Sequence, residues 1–203
     1  MGTRFFVAKS SRQLWTQFIQ DGGHVTKKSS ASPNRQYNPF QGRILGIDPS
    51  LRGTGWAIID VHDRDHIDFV ASQTLKLSAR DSLLSCTGKI HACIASTIER
   101  YRPDVCAAEQ TIYVQNFQTA QRMGIARGAI LSAIAIAGLP IYEYAPLRIK
   151  QAICGYGRAS KEQIARMVQS ILRIQVNVGF DETDATAAAL CCYFTERELK
   201  SHS

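Results

Sequence analysis

The chain has 203 residues, 45% of them hydrophobic and 20% charged, with a net charge of +7 and a pI near 9.2. That is enough for one domain with a full core plus some peripheral sequence, and the composition is that of a globular protein rather than a disordered or fibrous one. The charge is unevenly spread: residues 1–43 carry seven Lys or Arg against one acid, while the rest is close to neutral. A uniformly basic protein is excluded, so a core that met a polyanion would need locally arranged cations.

Residues 1–42 read as a basic, disordered extension. Leu14, Trp15, Phe18 and Ile19 give Ser11–Gln20 a short amphipathic pattern, and Gly22-Gly23 and Lys27-Lys28-Ser29-Ser30 read as a solvated linker. Three explanations stand side by side: an arm that touches nucleic acid, an organellar transit segment, or a start codon placed too far upstream. No secretory signal is expected, because residues 1–20 lack a continuous apolar core. The most apolar run, Ile125–Leu139, is interrupted by Arg127 and too short to span a bilayer. The six cysteines show no C-x-x-C pair and no Cys/His metal spacing, which fits reduced thiols in a cytoplasmic protein.

The folded domain is expected over 43–197, followed by a polar tail at 198–203. Arg43–Asp48 and Gly53–Ile59 read as two apolar strands around a turn punctuated by Pro49 and Gly53. His66–Leu77 makes a third strand, completing an antiparallel meander. A helix then runs from Ser78 or Asp81 to about Arg100, with Leu83, Ile90, Ile94 and Ile98 at helical spacing, and stops before Pro103. Asp104–Ala108 is a short buried strand ending in Glu109. The next helix is expected from Asn116 to Ala137 and is closed by Gly138. Leu139–Ala145 is a fifth strand, with Pro146 at a helix N1 position. Ser160 opens a helix with Gln163 completing a capping box, and the last helix starts near Asp181. The order β-β-β-α-β-α-β-α-α-α predicts an α/β fold: a mixed five-stranded sheet with helices on both faces.

Two acids end strands, Asp48 on the first and Glu109 on the fourth. If those strands are neighbours, their carboxylates meet. Asp181 and Asp184 stand at i and i+3 on the opening turn of the last helix, hence on one face. Each has an ordinary explanation: Asp48 as a turn cap, Asp181 and Asp184 as a helix cap and dipole complement. Four converging carboxylates would nonetheless repel one another. All-oxygen ligation of Mg²⁺ or Mn²⁺ would hold them together, and two such ions can activate water at a phosphodiester.

Gly46-Ile47-Asp48-Pro49 with Thr54-Gly55, Ala108-Glu109-Gln110, Ala126-Arg127-Gly128, Tyr142-Glu143-Tyr144-Ala145-Pro146, Ile149-Lys150-Gln151 and Asp181-Glu182-Thr183-Asp184-Ala185 follow in order over nearly all of 43–195. In these blocks the chain resembles the RuvC family, bacterial Holliday-junction resolvases with an RNase H-like fold. The resemblance implies a homodimer that nicks two opposed strands of a four-way DNA junction. It also implies Mg²⁺ as cofactor, two ions per site with Mn²⁺ able to substitute, and the RuvA–RuvB branch-migration complex as partner. It assigns Asp48, Glu109, Asp181 and Asp184 as catalytic metal ligands, and Lys150 and Lys161 as lysines that approach DNA. Glu182 is expected to point away and to be solvated.

Two features depart from the family pattern. The position that commonly holds a base-stacking aromatic is Ile112, with Tyr113 next to it and Phe117 a turn further on. Tyr113 and Phe117 are either DNA-stacking residues or packing at the start of the helix. The 1–42 extension is the second departure. Gly124 and Gly128, four apart, suit close helix approach either within the chain or across a dimer. The competing readings are a catalytically inactive junction-binding protein, an RNase H-like nuclease with another nucleic-acid substrate, and an actin/Hsp70-like ATPase, for which the chain lacks a second lobe.

Overall fold

The computed structural model describes residues 40–63, 66–110, 116–174 and 179–195. The extension, except for its last residues, and the tail lie outside the described residues, as does Tyr113. The elements follow the predicted order. Strands β1 (Gly42–Asp48), β2 (Gly53–Val61) and β3 (Ile67–Lys76) lead to helix α1 (Leu83–Tyr101) and β4 (Val105–Glu109). Helix α2 (Phe117–Ile136), β5 (Ile141–Tyr144), α3 (Pro146–Cys154), α4 (Lys161–Leu172) and α5 (Phe180–Thr195) complete the chain.

The sheet runs β3-β2-β1-β4-β5, with the meander antiparallel and β1-β4-β5 parallel. Pleating gives β1 and β4 two kinds of neighbour. Leu45, Ile47, Trp56, Ile58, Cys106 and Ala108 pack in one apolar cluster with the inner faces of α1 and α2. Ile44, Ile59, Val105 and Ala107 pack on the opposite side, against α3, α4 and α5. Phe40, just before β1, is buried in this second cluster.

Local chemistry fixes the helix ends. Ser82 Oγ accepts from the Ser85 amide at 3.2 Å, and Asn116 Oδ1 accepts from the Thr119 amide at 3.0 Å. Pro146 starts α3, and the Ser160–Gln163 capping box starts α4. Helix α5 is buried on nearly every side from Thr183 to Tyr193, and its run of small residues suits a helix enclosed by a sheet and two helices. Among the described residues, no helix is long and apolar enough to cross a membrane.

Candidate active site

Strand pairing brings the first two carboxylates together. The last parallel pair between β1 and β4 is Ile47 with Ala108, and Asp48 and Glu109 are the next residues on each strand. Alternation directs both away from the Ile47/Ala108 cluster and toward the α3–α5 side. Helix α5 closes over them because the strands beneath it are bare. A Cβ on Gly46 would overlap the carbonyl of Ala185, and one on Gly55 would overlap that of Asp181. A Cβ on Gly53 would stand 3.0 Å from Asp181 Oδ2. These glycines lie in β1 and β2. Sequence reading treats Gly53 as turn punctuation, whereas its missing side chain makes room for the helix.

The result is a cleft of about 410 Å³ lined by Asp48, Glu109 and Asp184 with Lys150 and Lys161. Pro49, Gln110, Met123, Pro146 and Ile149 contribute to its walls. Asp181 is not a lining residue; its carboxylate lies over Gly53, but its charge still acts on Asp48 and Lys161. Lys161 Nζ donates to Asp184 Oδ2 at 3.0 Å.

Burial is the largest cause that pushes the Asp48 carboxyl up, from its ordinary 3.8 to about 7. The negative charges of Asp184, Glu109 and Asp181 add to it, and Lys161 opposes it. Glu109 is raised for the same first reason, with Asp184 adding and Lys161 and Lys150 opposing. Removing a carboxylate from water and placing it beside like charges penalises its ionised form, so this set is short of positive charge.

The donors are right in kind for a hard divalent cation, being carboxylate oxygens whose mutual repulsion an ion would relieve. They are not yet arranged as a ligand set: no three His, Cys, Asp or Glu side chains among the described residues are placed to hold a metal ion, and Asp184 is turned to Lys161.

With this geometry, the comparisons with known proteins converge. The family model described as crossover junction endodeoxyribonuclease RuvC matches residues 44–192. The chain belongs to the RuvC family. A RuvC from Halorhodospira halophila is 46% identical over 149 residues, covering 73% of this chain and 88% of its own length. One from Geobacter sulfurreducens is 43% identical over 151 residues, covering 73% and 90%. The structure of Thermus thermophilus RuvC in complex with Holliday junction substrate aligns with a TM-score of 0.73 at 32% identity, covering 77% of this chain and 95% of that one. The yeast mitochondrial Holliday junction resolvase Ydc2, at 13% identity and a TM-score of 0.56, shares the fold. RuvC nucleases are hydrolases that use divalent metal ions.

Within this RuvC-family chain, other expected residues fall as follows. Phe117, the first residue of α2, is 79% exposed, so it does not pack into the chain's own core. A Cβ on Gly124 or Gly128 would meet nothing within 4 Å, so that edge of α2 packs against no part of the described chain. Glu182 corrects the expectation of a solvated side chain. It accepts from Ser72 Oγ at 2.5 Å and from Thr74 Oγ1 at 3.2 Å, tying α5 to β3. Helical spacing alone turned Glu182 away from the cleft, but it could not show that β3 waits there with two hydroxyls. Sequence reading also missed the half-buried Arg127–Glu143 ion pair, which joins α2 to β5 and links two of the recognised blocks.

Proposed function

We propose that this chain resolves four-way DNA junctions, cutting two opposed strands by Mg²⁺-dependent phosphodiester hydrolysis. The observation that supports this most directly is the single cleft shared by Asp48, Glu109, Asp184, Lys150 and Lys161 in a RuvC family chain. Asp48, Glu109, Asp181 and Asp184 would hold the metal, two ions per site, with Mn²⁺ able to substitute. Ions held there would activate a water and stabilise the leaving oxygen of the phosphodiester. Asp48, at the end of the central strand β1 and repelled by all three other acids, is assigned as the ligand shared by both ions on electrostatic grounds. Lys150 and Lys161 bind the phosphate backbone and set its register over the carboxylates. Phe117, exposed at the start of α2, offers an apolar ring to an unstacked base, and Tyr113 is assigned the same role.

The open α2 edge at Gly124 and Gly128 is read as the seam of a homodimer, because a twofold substrate cut at two equivalent points requires a twofold enzyme. RuvA–RuvB would deliver the junction to that dimer. The nuclease domain is taken as 43–197, with the basic charge of 1–42 adding phosphate contacts. None of the six cysteines is joined in a disulfide among the described residues, which suits a reducing cytoplasm.

The test is incubation of the full chain with a synthetic four-way junction, with and without Mg²⁺, mapping every nick. Paired symmetric nicks that require the metal are expected. Metal-independent cutting, or equal cutting of linear duplex, would refute the proposal. Tight junction binding with no cutting under any divalent ion would favour an inactive junction-binding protein.

A further inference from the structure

Lys161 opens α4 directly after its N-cap, Ser160. The ammonium meets Asp184 Oδ2 at 3.0 Å, yet the lysine side chain is 63% exposed and the Asp184 side chain only 18%. Its influence is wider than that one contact. It favours the ionised forms of Asp48 and Glu109, and its own charged form is favoured first by Asp184 and then by Asp48 and Asp181. One side chain thus acts electrostatically on all four acids, while among the described residues no three acids are placed together to ligate an ion.

Building on the metal-dependent reading above, we propose that Lys161 is the resident cation of the metal-free site, displaced from Asp184 by the divalent ion and so freed for a DNA phosphate. An ammonium is a compact point charge with rotatable donors and no fixed coordination demand. It can neutralise part of a carboxylate cluster without drawing the oxygens into a shell. A divalent ion binds several oxygens at once and displaces it from Asp184 Oδ2. Lys161 can leave without a backbone movement, because its stem is exposed while the capping box holds the helix start. Ion binding and phosphate capture then favour each other. The ion releases the lysine, and a phosphate on the lysine releases the carboxylate; such coupling is reciprocal by necessity.

The experiment is calorimetric titration of the metal-free full chain with MnCl₂, comparing wild type with Lys161→Met, Lys161→Arg and Asp48→Asn. Circular dichroism of each metal-free variant checks its fold. Lys161→Met should bind Mn²⁺ roughly two- to fivefold more tightly, the range expected for losing one exposed competing charge. Lys161→Arg, which keeps the charge, should stay near wild type. Unchanged or weaker Mn²⁺ binding by folded Lys161→Met would overturn the proposal, and Lys161→Gln serves as the neutral variant if the Met form does not fold. Tight wild-type binding abolished by Asp48→Asn, with no gain in Lys161→Met, would sink only the role of Lys161. No wild-type binding at all would remove the metal reading and this inference together.

Discussion

Strand β1 serves two sides of the sheet with opposite demands. Toward α1 and α2 it presents Leu45 and Ile47, both fully buried in an apolar cluster filled by volume. Toward α5, beyond Ile44, it presents Gly46 and Asp48: first the absence of a side chain, then a charge. The glycine lets the α5 backbone settle on the strand, and that approach helps deprive Asp48 of water. Close packing therefore stabilises the fold on one side. On the other side the same closeness raises the electrostatic cost of the site, which is where a cation becomes useful.

Adjacent substitutions break this comparison most sharply. Ile47→Ala should cost about 2–5 kcal/mol of stability, the usual range for emptying such a position, measured by urea unfolding of the metal-free protein. Asp48→Asn should do the reverse: junction cleavage falls on the order of a thousandfold while junction binding persists, and metal-free stability holds or rises. Cleavage by Asp48→Asn near the wild-type rate would remove Asp48 from the proposed metal site.

The second test is pH. Asp48 in the folded chain holds its proton up to about 7, whereas the unfolded chain releases it near 3.8. Between those values Asp48 binds more of a proton in the folded state than in the unfolded one, so its contribution to metal-free stability falls as pH rises across that window, by on the order of a few kcal/mol at most. Glu109 is shifted the same way and adds to the slope. Above about pH 7 the contribution of Asp48 is flat. The raised pKa of Lys161 adds stability that is lost only above its ordinary 10.5, outside the window. Thermal unfolding in chelator from pH 4 to 8 reads the slope, which Asp48→Asn should flatten. A pH slope that Asp48→Asn leaves unchanged would contradict the electrostatic account.

Glycines sharpen the comparison at smaller cost. Gly55→Ala forces a methyl group into the Asp181 carbonyl and should destabilise by about 1–3 kcal/mol, weakening metal binding as the first turn of α5 shifts. Gly88→Ala, in α1, meets open space and should stabilise by about 0.5–1 kcal/mol with the site untouched. The smallest effect is expected at the end of α4, where Arg173 caps the helix with φ at 53°. Arg173→Gly should gain up to about 1 kcal/mol in the same assay, since glycine adopts that conformation without Cβ strain.

Much of the fold was legible because its signals are local. Ser160 with Gln163 and Pro146 at N1 act within one turn, and both sit where the pattern placed them; α2 starts one residue after the expected Asn116, which caps it. The pairing of Asp48 with Glu109 could be stated only conditionally, since no local feature says that β4 inserts beside β1. Glu182 was misread because its partners lie more than a hundred residues away. Phe117 stood open between stacking and packing until its exposure showed that the core does not receive it.

By itself the sequence determined the order of elements and the acids that end β1 and β4, because periodicity and capping are written in neighbouring residues. Only the tertiary structure decided which carboxylates share a cleft, that Asp181 lies to one side of it, and that Lys161 already answers Asp184. Those outcomes depend on strand order and on the close approach of α5 to three glycines, backbone to backbone at Gly46 and Gly55. Both are set by packing between segments far apart in the chain, and no local pattern encodes them.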